Sequence, residues 1–143
     1  MATFEQLFDY FKGVSYDEKV RVTRNIYQAI IETIDKHRYG NFFVPGRTAA
    51  IWYFANFCSV DRKITYAEHE FYVAVSGNRI SYDAFFEECR EDDHPEMKAD
   101  LQRFMKKINE KELGYFQTLA AVIFSLKGNP TYDEKMYLLN YFR

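Results

Sequence analysis

No stretch of this chain alternates apolar and polar residues with period two, so the half-buried strands of an antiparallel sheet find no support. Proline is scarce: Pro45, Pro95 and Pro130 all fall where helices would begin or end, and none interrupts a helical pattern. The two cysteines, Cys58 and Cys89, are too few for a disulfide framework, and a reducing, cytoplasmic setting is the expectation. Neither charge sign is in clear excess. Nineteen basic side chains against 21 acidic ones give a net charge of −2, which supplies no field to attract nucleic acid. Long apolar runs are also missing. Those near 49–58 and 115–126 stop well short of the roughly 20 residues that cross a bilayer, so no membrane insertion is expected. The opening MATFEQLFDYFKG carries acids and has no unbroken apolar core, unlike a secretory leader.

What the chain does have is apolar bulk at helical spacing. Hydrophobic residues make up 48% and aromatics 19% of 143 residues, enough for one domain with a bulky core and too much for disorder. The organising stretch is 47–76: an apolar helix over about 48–59, a polar turn VDRKI, then a capped helix TYAEHEFYVAVS. Ala49 to Cys58 is apolar nearly all the way round, which predicts burial on every side, with Trp52 among the large buried rings. A second such helix, about 115–126, precedes the C-terminal PTYDEKMYLLNYF, and the two apolar helices are expected to pack together at the centre.

Helix starts are legible as caps. Thr3 with Gln6, Ser15 with Glu18 and Thr65 with Glu68 have capping-box spacing, and Ser81 and Thr131 precede further helices. The N-terminal helix spans 3–12 with Phe4, Leu7, Phe8 and Phe11 on one face, and Gly13 suits a left-handed end. A long helix from Ser15 to about Tyr39 should bury Tyr16, Val20, Tyr27, Ile30, Ile31 and Ile34. GNFFVPGR reads as a packed loop turned by Pro45 and Gly46. Ser81 opens a helix to about Arg90, and the next one should bury Met97, Leu101, Phe104, Met105 and Ile108, ending near Asn109. The fold class is all-α, a single compact bundle of about seven helices. A shift of 66 residues carries Ser15 onto Ser81, Tyr16 onto Tyr82, Thr65 onto Thr131 and Glu68 onto Glu134. That register suggests pseudo-repeated halves, about 14–76 and 80–142, around the two apolar helices.

No catalytic motif is present. The turn after the first apolar helix fails as a calcium loop: with Ile64 eighth and Glu68 twelfth, Phe57 falls first and Arg62 takes the glycine position. Cys58, Cys89, His69 and His94 lack zinc spacing and read as ordinary thiols and solvated histidines. Glu87, Glu88, Asp92 and Asp93 form the most acidic segment, either a docking patch or a solvated helix face. Lys19, Arg21, Arg24, Arg103, Lys106, Lys107 and Lys111 are interleaved with acids and read as helix exteriors. Tyr and Phe at helical spacing are mostly core, though 12 tyrosines leave room for an aromatic contact surface.

Asp61, Ile64 and Glu68 after an apolar helix resemble the signature of TerB-like domains, the tellurite-resistance family: Asp-Gly-x-Ile-x-x-x-Glu in two related halves. The likeness covers roughly 15–142. Arg62 stands in place of the glycine, and the second half keeps Gly128 and Glu134 but has Lys127 and Pro130 for the aspartate and isoleucine. The resemblance implies an all-α bundle acting without catalysis as a protein-interaction component of a stress-response or envelope-associated system. It also implies divalent metal at Asp61 and Glu68, which Lys127 would leave one-sided and Arg62 and Lys63 would oppose. On the residues alone, Asp61 opens the turn and Glu68 caps the helix. No cofactor is expected. A small enzyme whose acids and histidines meet only in the fold, or a nucleic-acid-associated regulator, are the alternatives.

Overall fold

The computed structural model describes residues 4–37, 46–58, 64–88 and 103–126. The chain is all-α, and the described residues hold no strand. Among the described residues six helices are delimited: α1 Phe4–Lys12, α2 Tyr16–Lys36, α3 Gly46–Cys58, α4 Tyr66–Ser76, α5 Tyr82–Glu88 and α6 Glu110–Ser125. A further helical stretch at 103–105 leads into the turn before α6.

The centre is α3. Ala49, Ala50, Tyr53, Phe54, Ala55, Phe57 and Cys58 are wholly buried, because neighbours stand on several sides, while Arg47 and Thr48 in the first turn are exposed. Helix α3 packs against α2, α5 and α6. The two adjacent rings of α3 serve different neighbours. Tyr53 meets Phe116 of α6 edge-on at 4.8 Å. Phe54 lies 6.2 Å from Tyr27 of α2, 5.0 Å from Tyr72 of α4 and 6.3 Å from Phe85 of α5. Tyr72 and Phe85 stack at 5.0 Å and close that cluster. Edge-to-face pairs of this kind contribute about 0.5–1.5 kcal/mol each beyond the area they bury. The expected contact between the two apolar helices is present. It is one of several, since α2 also touches α3, α4 and α6, and α1 covers α6.

Helix α2 forms because Val20, Thr23, Tyr27, Ile30, Ile31 and Ile34 recur at helical spacing, and all six are buried. Tyr16, expected in that core, is 47% exposed: it occupies the first turn, ahead of the stripe that α3 and α4 cover. The helix ends at Lys36 with His37 as its cap, short of Tyr39. Gly13 does not take a left-handed conformation. Among the described residues Gly77 alone does, at φ 73°, where it ends α4 and its N–H donates to the Val73 carbonyl.

Gly46 is not a loop residue but the first residue of α3. Its N–H donates to Asp35 Oδ1 at 2.7 Å, so a carboxylate satisfies a free helix-start donor. A Cβ there would lie 2.5 Å from the Ile31 carbonyl oxygen, a backbone atom that cannot step aside. Glycine is what lets α3 close on α2. Trp52 is half-buried rather than core, packed against the edge of the cluster.

Helix α6 begins at Glu110, five residues earlier than the apolar run suggests. The reason is a complete capping box. Asn109 Oδ1 accepts from the Glu112 N–H at 2.8 Å, and Glu112 Oε1 accepts from the Asn109 N–H at 3.1 Å. Thr65 and Glu68 form the second full box, at the start of α4. At Ser15 only half the box exists: Ser15 Oγ accepts from the Glu18 N–H, while the Glu18 carboxylate pairs with Arg21. Ser81 Oγ accepts from the Ala84 N–H at 3.1 Å. Phe8, Phe11, Phe104 and Met105 are buried as the sequence suggests, and Ile108 is partly so. Thr3, Met97, Leu101 and Thr131 lie outside the described residues, as does most of what a 66-residue repeat would compare in α2 and α4.

Truncating Phe54 to alanine should cost about 3–5 kcal/mol, the range for a large buried aromatic. Trp52→Ala should cost clearly less, because part of that ring already faces water. Urea unfolding of both variants measures the difference, and equal losses would contradict the central position of Phe54.

Candidate functional site

The acidic turn marked by the sequence is only half described. Asp61, with Arg62 and Lys63, lies outside the described residues. Glu68 is wholly buried at the first turn of α4. Its Oε1 accepts from the Thr65 N–H at 2.9 Å and stands 3.1 Å from Thr65 Oγ1, which itself accepts from the Glu68 N–H. That carboxylate is therefore engaged in holding the helix start. Among the described residues no three His, Cys, Asp or Glu side chains assemble into a group fit to hold a metal ion.

The other chemistry-bearing candidates do not converge. Cys58 is buried in α3, and Cys89 and His94 lie outside the described residues. His69 is half-buried rather than solvated. Its Nε2 is 2.7 Å from the Ile80 carbonyl oxygen, and its ring leans on Tyr82 and Phe85. A carbonyl only accepts, so Nε2 carries the proton in this contact and the ring fastens the α4–α5 turn. Of the acidic segment, Glu87 is exposed on α5, Glu88 ends that helix, and Asp92 and Asp93 lie outside the described residues.

Aromatic side chains at the beginnings of α4 and α5 form the surface with most to offer a partner. Tyr66 is 70% exposed and Phe86 is 42% exposed. Tyr82 stands between them, 4.4 Å from Tyr66 and 6.3 Å from Phe86, ring centre to ring centre. The Tyr82 hydroxyl donates to the Ile64 carbonyl at 2.9 Å, so the middle ring is fixed while the outer two face water. Tyr82 and Phe86 share one side of α5 by their four-residue spacing, as Tyr66 and Glu70 do on α4. Glu70 on α4 and Asp83 and Glu87 on α5 are exposed on the same two helices, the last two directly following Tyr82 and Phe86 in sequence. Tyr16, also partly exposed, leans edge-on against the buried Phe71 ring at 6.0 Å. Burial, then the charges of Glu70 and Asp17, push the Tyr16 hydroxyl above its ordinary pKa, so it stays neutral. Exposure was not legible in the sequence, where tyrosines at helical spacing read first as core.

A polar junction that the sequence did not mark joins α2 to α6. His37 Nε2 is 3.1 Å and 3.3 Å from the two oxygens of Glu112, and Lys36 Nζ is 3.5 Å from one of them. Burial alone would push the Glu112 carboxyl up; the Asn109 N–H, His37 and Lys36 outweigh it and hold its pKa below the ordinary value. Lys36 is mostly exposed and contributes little on its own. The junction is structural: it lays a cation at the end of α2 and an anion at the start of α6, as both helix dipoles favour. The spacing Asn109-x-x-Glu112 was the available signal for its acidic half.

Because the folded Glu112 pKa is depressed, its contribution should be complete above the unfolded-chain value, about 4.3, and fade as pH falls through the folded value. Glu112→Gln should lower stability at neutral pH, with the two proteins converging in acid; urea midpoints across pH 2.5 to 7 (roughly the span of that titration) measure it. For metal, calorimetric titration of metal-stripped protein with calcium or magnesium should give no tight binding. Micromolar affinity abolished by Asp61→Asn would make the turn the functional site instead.

Set beside protein-family models, curated proteins and solved structures, the chain matches none of them.

Proposed function

We propose that this chain is a non-enzymatic helical module of the TerB-like kind, working in the cytoplasm as a protein-interaction component of a stress-response or envelope-associated system. The observation that supports the reading is the Tyr66–Tyr82–Phe86 surface. Large rings left in water at one place, one of them pinned by a hydrogen bond, are a common way to build a protein contact. The exposed acids of the same two helices, Glu70, Asp83 and Glu87, favour a partner segment rich in lysine or arginine, which can lay its cations over the ring faces. The absence of a net positive charge weighs against nucleic acid as that partner. No described helix is long and apolar enough to cross a membrane. Divalent metal has at most a weak place in this reading, since Glu68 is committed to its cap.

The double variant Tyr66→Ser with Phe86→Ser should keep its thermal midpoint within a few degrees, because both rings already face water. Affinity capture by the tagged full chain, with cross-linking, should recover a partner that the double variant loses. Identical recoveries from both proteins would remove this surface from the interface.

A further inference from the structure

At the opposite end of α4 from the aromatic surface lies a groove of about 270 Å³, bounded by α2, the first turn of α3 and the last turn of α4. Ten residues of helix, about 15 Å, separate Tyr66 from Ser76, so the two features are distinct. The walls of the groove carry Arg24, Arg47, Tyr72, Ser76, Gln28 and Asn78 above Tyr27, Ile31 and Val75, and among the described residues no Asp or Glu lines it. Charged residues make up 28% of this chain and acids outnumber bases, so two guanidinium groups without an acid among them are not what the average surface offers.

Arg24 is held by a hydrogen bond, and Arg47 is brought to the groove by the helix that carries it. Arg24 Nε donates to the Ala74 carbonyl at 2.9 Å, which ties its guanidinium to the end of α4. Arg47 is the second residue of α3, whose position Gly46 fixes against α2. Among the described residues neither guanidinium forms an ion pair with a carboxylate. The polar groups beside them are pre-ordered. Ser76 Oγ donates to the Tyr72 carbonyl at 2.7 Å and accepts from the Asn78 N–H at 3.1 Å. Asn78 Nδ2 lies 3.4 Å from the Tyr72 hydroxyl, and Gln28 Nε2 is 3.3 Å from Glu32 on the outer side of α2. The buried Tyr27 hydroxyl is held neutral mainly by burial and next by Tyr72, while the positive charge of Arg47 pulls the other way, which places that charge within reach of the groove floor.

We propose that this groove binds a small soluble phosphate monoester, of about the size of a sugar phosphate. Guanidinium forks match oxyanions in a plane, and one fork saturates a carboxylate with two parallel bonds. Two forks from different helices, with phenol, hydroxyl and amide groups alongside, suit the three oxygens and double charge of a phosphate monoester better than the two oxygens of a carboxylate. The other polar walls, Gln28, Ser76 and Asn78, offer donors and acceptors to the hydroxyls of a polyol, and Ile31 and Val75 give its carbon frame an apolar side. The volume is slightly below the range of about 300–1,000 Å³ typical for drug-sized ligands, which sets the upper size.

Calorimetric titration of the full chain with glucose 6-phosphate tests the proposal, with glucose, inorganic phosphate and citrate as comparison probes. Phosphatidylcholine vesicles with and without phosphatidic acid form a further arm. The expected result is saturable one-to-one binding of glucose 6-phosphate, weaker binding of inorganic phosphate, and none of glucose. Arg47→Gln should weaken the sugar phosphate by at least about tenfold, the scale of one lost charge-assisted hydrogen bond. Lys111→Gln, on the exposed side of α6, should leave it unchanged, and thermal unfolding of each variant establishes that it is folded. Any of four results would overturn the proposal: no binding of glucose 6-phosphate, equal binding by Arg47→Gln, citrate bound as tightly, or binding to phosphatidic acid vesicles alone.

Discussion

From Ala49 to Cys58 helix α3 is apolar nearly all the way round, and the rest of the molecule is arranged to enclose most of it. A helix apolar around its circumference can be stable only if neighbours cover it from several directions. Here Tyr53 commits one side to α6 and Phe54 commits the other to α2, α4 and α5. The small residues Ala49, Ala50 and Ala55 leave room for those neighbours to approach. Gly46 sets the closest approach of all, where a single added methyl group would meet the backbone of α2. Helix α6 is nearly as enclosed, with Leu119 to Ser125 all buried beneath α1, α2 and α3, whereas α2 buries one stripe and leaves the other side to water.

The helix starts are secured by side chains that look functional in isolation. Glu68 and Glu112 are buried acids, which would be costly without hydrogen-bond partners. Both reach back to the N–H of a cap residue three positions earlier. Glu112 then does a second task through His37, joining the end of α2 to the start of α6. The same residue types that suggest metal or acid–base chemistry thus serve to fix helix starts. This is the physical reason to seek function on the surface and in the polar groove rather than at the buried acids.

The two ends of α4 differ in character. Its first turn carries Tyr66 and Glu70 and, with α5, makes an aromatic and acidic surface. Its last turn faces Arg24 and Arg47 across a polar groove. An interaction at one end and a small anion at the other could each be present without the other, joined by one short rigid helix. The stacked pair Tyr72 and Phe85 lies between them and belongs to the core around Phe54.

Local features were determined by the sequence alone: the all-α class, the apolar α3, the caps at Ser15, Thr65 and Ser81, and the buried stripe of α2. Each depends on residues within a few positions of one another, where spacing and side-chain type decide the outcome. The early start of α6 was equally local, since Asn109 and Glu112 obey the same rule as Thr65 and Glu68. Tertiary packing decided the rest. Tyr16 and Trp52 are partly left to water although both read as core, and the Gly46 N–H at the start of α3 is met by Asp35 of α2. Arg24 and Arg47, 23 positions apart, line one groove only because α2, α3 and α4 meet there. Periodicity states which side of a helix is apolar; which polar residues from different helices share a cavity is fixed by crossing geometry, and a linear pattern does not encode it.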